Sequence, residues 1–220
     1  MGITYEEIVK NEEVNAYIKK ADESLIALGY TEHSFPHVMK VAENSAYILK
    51  SLGYSAEDIE LVKIAAYLHD IGNVINRIEH SQSGAIMAFR ILDRLNLPPN
   101  DIATIITAIG NHDEGTGVPV NPIAAALIIA DKSDVRRSRV RNQSYSTFDI
   151  HDRVNYSVES SRLEINISDK ILLLSLSIDT SISSVMDYFE IFLERMKLCR
   201  KSCETLGLTF SLVINGQVLL

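Results

Sequence analysis

The sequence has 220 residues, 46% hydrophobic and 23% charged, which excludes a disordered chain and leaves room for one large domain or a domain with a small appendage. Twenty-one basic against 29 acidic residues give a formal charge of −8, so a nucleic-acid polymer is not an expected partner, because its phosphates would repel the protein. Two cysteines, Cys199 and Cys203, exclude a disulfide scaffold and read as reduced packing residues of a cytoplasmic protein.

The acidic amino terminus lacks the basic-then-apolar order of a signal peptide, and Glu6 stands where a myristoylation pattern has Ser or Thr. Apolar residues at helical spacing then predict a helix over Thr4–Leu28, stopped by Gly29, and a second over Pro36–Leu52, stopped by Gly53. Ser55-Ala56-Glu57-Asp58 resembles a capping box and opens a helix that runs to about His69. Helices follow over Ser81–Leu95, over Asp101–Gly110 after the break at Pro98-Pro99-Asn100, and from Asn121-Pro122 onward. The last is apolar nearly all round from Ile123 to Ala130, which places it at the centre. It is also the longest apolar run, too short to span a bilayer, so no membrane partner is expected.

The pattern changes near residue 160. Leu163, Ile165 and Ile167 alternate with polar residues, Ser168-Asp169-Lys170 reads as a turn, and Ile171–Ile178 as a second strand, together a hairpin. Ser181–Leu206 predicts a long helix, Leu208–Ile214 a third strand, and Asn215-Gly216 a tight turn from which Gln217–Leu220 can pair back. The expected fold is mainly α, a helical domain over residues 1–158 with a small α+β (ββαβ) appendage over 159–220. The apolar Ile171-Leu172-Leu173-Leu174 requires cover, either from the helical domain or from a second chain in a homodimer.

Five of six histidines, His33, His37, His69, His80 and His112, fall at helix ends or between helices, where a rigid scaffold presents chemistry. His69-Asp70 closes an apolar helix and Gly72 lets the chain turn away; imidazole beside carboxylate suits a divalent first-row metal. Read alone, the pair is also compatible with a helix C-cap and a solvated aspartate. His37 opens an upstream helix. Asp131 ends the most apolar one and needs a partner, either a metal or a cation such as Lys132.

These residues in this order, His37 with Val41-Ala42, Ala65-Ala66-Tyr67-Leu68-His69-Asp70-Ile71-Gly72, and Asp131 in Ile-Ala-Asp, resemble the HD superfamily of metal-dependent phosphohydrolases over about residues 33–140. The resemblance implies an HD-domain helical bundle in which His37, His69, Asp70 and Asp131 bind a metal. His80 and His112 look like the further ligands of dinuclear members, whose His-Asp aspartate bridges two ions. The alternatives are a helix N-cap neighbour for His80 and a loop histidine for His112. The stretch Gly110–Pro119 is similar to the signature of the HD-GYP branch, but it has one histidine, a shorter spacer, and Val118 where that branch has tyrosine, so cyclic-dinucleotide activity does not carry over. Asn73 stands where many members have lysine. His33 reads equally as a substrate contact or support behind a ligand, or as a loop residue, and His151, in a second His-Asp pair with polar flanks, as exposed or as support behind the site.

The one dense basic run holds Lys132, Arg136, Arg137, Arg139 and Arg141 directly after Asp131. Guanidinium forks match phosphate oxygens, so Arg136 and Arg137, with His33, are candidates for substrate binding; the alternative is a solvated or ion-paired helix face. The candidate catalytic groups are Asp70 as metal bridge, Lys132 beside Asp131, and Asp113, with Glu114 next to it, as general acid. The implied cofactors are one or two divalent transition-metal ions, Mn, Fe, Co or Ni. The implied activity is hydrolysis of a phosphorylated small molecule, with a nucleotide as the leading class. The rivals are a regulatory module that binds a nucleotide or metal without turnover, and a cyclic nucleotide or dinucleotide phosphodiesterase.

Overall fold

A computed structural model describes residues 3–220; Met1 and Gly2, on which the amino-terminal targeting pattern begins, lie outside the described residues. The helices are α1 (Tyr5–Val9), α2 (Glu12–Ala27), α3 (Phe35–Ser51), α4 (Ala56–Leu68), α5 (His80–Arg94), α6 (Pro99–Gly110), α7 (Pro122–Lys132), α8 (Ile150–Ser157) and α9 (Val185–Thr205). The strands are β1 (Val158–Asn166), β2 (Ile171–Ile178), β3 (Thr209–Ile214) and β4 (Gln217–Val218). Among the described residues no helix is long and apolar enough to cross a membrane.

The helical half follows the expected order with one division. The single helix expected over Thr4–Leu28 is two, because Asn11 turns its side chain back to accept from Val14 N and caps α2. An Asx cap satisfies an amide that an unbroken helix would not leave free, so the chain restarts there. The capping box at Ser55 and Asp58 forms in both directions. It opens α4, whose later residues Ile64–Leu68 are all buried. In α7 every residue from Ile123 to Ala130 is buried. Each such Leu or Ile contributes about 1.5–3 kcal/mol, which offsets the cost of carrying Asp131 and Lys132 into the interior.

The carboxy-terminal half is a four-stranded sheet in the order β1-β2-β3-β4. β1 and β2 pair antiparallel as the expected hairpin, whereas β2 and β3 pair parallel. Parallel neighbours need a long crossover, and α9 supplies it. That helix begins at Val185 rather than Ser181, because Ser184 and Asp187 form a reciprocal capping box, and Ser181 instead bonds to Asp179. Leu172, Leu174, Leu176, Phe210 and Leu212 point into one core with Tyr188, Phe192 and Cys199 of α9. The apolar side of the hairpin is therefore covered within the chain. α9 also packs along α7, which carries it to the helical domain's functional end. Both thiols are buried, and burial pushes that of Cys203 up to about 12, consistent with packing residues. Helix α8, capped by Asp149, was not evident in the sequence, where its eight residues carry little apolar periodicity.

Candidate metal centre

Six side chains converge where the carboxyl ends of α4, α6 and α7 meet the amino ends of α3 and α5. Pro36 sits in the first turn of α3, and His37 follows it. The apolar end of α4 delivers His69 and Asp70, and the chain then enters a 3₁₀ turn over Ile71–Val74. Gly72 lets α5 lie directly on that turn: a Cβ there would stand 2.0 Å from the His80 carbonyl oxygen. Glu79, at φ 57, reverses the chain so that His80 begins α5 beside Asp70. A left-handed conformation costs a residue with a Cβ about 1–2 kcal/mol, and such residues gather at functional sites.

The hydrogen bonds of the imidazoles assign their tautomers. His69, His80 and His112 each direct Nδ1 at the carbonyl three residues before, those of Ala66, Arg77 and Ile109, at 2.7, 3.0 and 2.6 Å. A carbonyl only accepts, so Nδ1 carries the proton and Nε2 offers its lone pair to the centre. His37 Nδ1 meets Asp134 Oδ2 at 2.8 Å, which orients its Nε2 in the same way.

Asp70 divides these nitrogens into two sets. Its Oδ2 lies 3.3 Å from His69 Nε2 and 3.7 Å from His37 Nε2, and Asp131 Oδ1 completes that set at 3.3 Å from His37. Its Oδ1 lies 3.4 Å from His80 Nε2 and 4.0 Å from His112 Nε2, which are 3.1 Å from each other. Asn73 Nδ2 donates to Asp70 Oδ1 at 2.9 Å and holds the carboxylate in this orientation.

These residues fit a metal. His37 Nε2 and His69 Nε2 are buried with no hydrogen-bond partner, and their lone pairs face the carboxylate oxygens of Asp70 and Asp131, acceptor against acceptor. Ligand atoms about 2.1 Å from one ion stand about 3.0–3.4 Å apart at octahedral to tetrahedral angles, close to the spacing seen here. Three groups, His37-His69-Asp70, His69-His112-Asp131 and Asp70-His80-His112, each bring ligand atoms within 4.8 Å of one another.

The charge distribution agrees. Burial alone would raise the Asp70 carboxyl, but His69 and the other imidazoles hold it well below its usual range. Lys132 and His37 do the same for Asp131 against burial. Burial, with His69 and His80 nearby, pushes His112 well down, and burial also lowers His80. Burial opposes a charge on His69, yet Asp70 and Asp131 raise it. The two carboxylates thus call for positive charge between themselves and His69.

The remaining expected residues divide. Lys132 is buried and ion-paired to Asp131 Oδ2 at 2.8 Å and Glu114 Oε2 at 2.6 Å. Asp113 stands at the rim, its Oδ1 4.0 Å from His80 Nε2. His33 lines the cavity and sets its ring edge against His37, whereas His151 is exposed at the start of α8. Arg136 and Arg137 do not line the cavity. Arg136 forks onto Asp134, with Nε 2.6 Å from Oδ1, and Arg137 donates to the Tyr156 carbonyl and covers the Tyr156 ring. The cations that do line it are Arg77, Lys132, Arg139 and Arg195. The arginine density that marked Arg136 and Arg137 was a local signal, and partners distant in sequence decide which guanidinium reaches the site. Asp134 was also missed, although its place three residues after Asp131, just past the end of α7, was visible.

Replacing Asp134 by Asn is expected to weaken metal binding about 10–100-fold, because the carboxylate behind a ligating imidazole fixes its ring and raises its basicity. A chelator-competition titration measures this; unchanged affinity would mean that packing alone holds His37.

Residues 35–137 match the HD domain family. The matched segment covers just under half of the chain and contains all six converging residues. An uncharacterized protein of Methanocaldococcus jannaschii is 28% identical over 76% of this chain and 72% of its own length. A crystal structure described as a predicted HD superfamily hydrolase from an uncultured Thermotogales bacterium is 24% identical, with a TM-score of 0.45 over 56% of this chain and 67% of that one.

Proposed function

We propose that this protein is a dinuclear metal-dependent phosphohydrolase acting on a small phosphate ester, with a nucleotide as substrate class. The observation that carries the reading is the division of Asp70: one oxygen faces His37, His69 and the Asp131 carboxylate, the other faces His80 and His112. His37, His69, Asp70 and Asp131 would hold one ion, and Asp70, His80 and His112 a second. When bound, such ions act as Lewis acids on phosphate oxygens and lower the pKa of water.

The chain's own residues supply the rest. Asn73 fixes the bridging carboxylate. Lys132, kept charged against burial by Asp131 and Glu114, orients the second Asp131 oxygen. The cations at the cavity attract an anion. Asp113, 4.0 Å from His80 Nε2, is the candidate general acid for the leaving oxygen. The Arg77 guanidinium also lies over the Tyr30 ring at 5.7 Å, which steadies that arginine beside the cavity.

Metal-loaded protein tested against nucleoside monophosphates, cyclic nucleotides and a simple aryl phosphate is expected to release inorganic phosphate. Chelation should stop the reaction, and Mn²⁺, Fe²⁺, Co²⁺ or Ni²⁺ should restore it. A linear nucleotide formed without free phosphate would make the enzyme a phosphodiesterase instead. No turnover by fully loaded protein would leave a module that binds without hydrolysing.

A further inference from the structure

The carboxy-terminal unit reaches the metal centre through one side chain. Arg195, on α9, lines the same cavity as Asp70, His112 and Asp131. Its guanidinium rests over the Phe192 ring at 4.5 Å, and its Nε donates to Glu114 Oε1 at 2.9 Å. Glu114 in turn holds Lys132, and Lys132 holds Asp131. Arg195 therefore sits one carboxylate and one ammonium away from the second oxygen of Asp131.

Those contacts use only Nε. Neither Nη of Arg195 makes a hydrogen bond among the described residues, and the side chain is 21% exposed. A guanidinium whose whole task was to secure Glu114 would present two parallel N–H groups to the carboxylate, since the bidentate arrangement is the strong one. Here a single contact fixes the side chain, and the paired donors remain for the cavity. Arg77, on the His80 side, is held differently: its Nη1 stands 3.3 Å from Asn73 Oδ1, 3.4 Å from His80 Nε2 and 3.9 Å from Asp70 Oδ1, and its Nη2 makes no hydrogen bond among the described residues. Arg139, the third guanidinium of the cavity, is spent on backbone carbonyls of Glu32 and Asp134.

We propose that Arg195 is a substrate-binding residue whose Nη groups hold phosphate oxygens at the metal centre, so that the carboxy-terminal unit completes the active site. The proposal rests on the phosphohydrolase reading only in taking the ligand to be a phosphate oxyanion. The planar fork matches two oxygens of one phosphate, and the bond from Nε to Glu114 Oε1 keeps it from swinging out to solvent.

Titration of inorganic phosphate into metal-loaded full-length protein, followed by calorimetry, tests this for wild type, Arg195→Gln and Arg195→Lys, with metal content and melting temperature recorded for each. The Gln variant is expected to bind phosphate at least tenfold more weakly at unchanged metal content. The Lys variant, which keeps the charge and loses the fork, should recover part of that loss. Where the Gln variant melts too low to titrate, the Lys variant decides: at least threefold weaker binding supports the proposal and wild-type affinity overturns it. Equal affinity of wild type and the Gln variant overturns it as well, and so does wild-type protein that holds metal but binds no phosphate. Phosphate binding that depends on Arg195, without turnover of any ester, supports the Arg195 site and removes the phosphohydrolase reading alone.

Discussion

Asp70→Ala is expected to lower hydrolysis by about three orders of magnitude or more, a loss of about 4 kcal/mol in transition-state stabilisation, and to strip metal from both halves of the centre. The reason is geometric. Asp70 is the one side chain whose two oxygens face different sets of imidazoles, so its removal takes a ligand from each. His80→Ala removes a nitrogen from one set only. The pair of variants therefore gives a pattern that a simple loss of stability would not: about two metal equivalents in wild type, about one in His80→Ala, and fewer than one in Asp70→Ala, with all three proteins folded. Equal metal content in the two variants would show that Asp70 does not bridge.

Gly72→Ala is expected to destabilise the protein by about 3 kcal/mol or more, the upper range for forcing extra volume into a packed site. The added Cβ would stand 2.0 Å from the His80 carbonyl oxygen and 2.5 Å from the Gly84 amide nitrogen. Both are backbone atoms, so no side-chain rotation relieves the clash, and α5 must move off the turn that follows His69-Asp70. For a chain of this length 3 kcal/mol is about 6–12 °C in melting temperature. The displacement also carries His80 away from Asp70, so the variant should lose the His80–His112 metal before the other. A Gly84→Ala control, whose Cβ would meet its nearest atoms at 3.3 Å, should cost much less. Thermal melts of the two variants side by side check the difference.

The features legible in the sequence are those that local chemistry decides. The capping box at Ser55 and Asp58 and the strand Ile171–Ile178 need only neighbours within a few residues, and both form as expected. The all-apolar face of α7 identifies a central helix without knowledge of what surrounds it. Helix ends mark the six histidine and aspartate positions one by one, and the resemblance to the HD superfamily is what joined them into a candidate set; the structure brings them together. The break at Asn11 was not legible, because the apolar spacing of Thr4–Leu28 continues across it and only the cap interrupts the backbone. Nor was the parallel pairing of β2 with β3, which depends on where α9 lies. The guanidiniums of the cavity were the largest omission. Arg139 stood unsingled in the basic run, and Arg77 and Arg195 carry no local mark; these two reach the centre only because α9 packs on α7 and the turn after Gly72 folds against α5.

Elemental analysis of the purified full-length protein bears most directly on the dinuclear centre. About two transition-metal equivalents per chain, removed by chelation and regained on reconstitution, are expected from a carboxylate shared between two sets of imidazoles. A protein that holds no metal after reconstitution with Mn²⁺, Fe²⁺, Co²⁺ or Ni²⁺ would contradict that assignment and the hydrolytic function built on it.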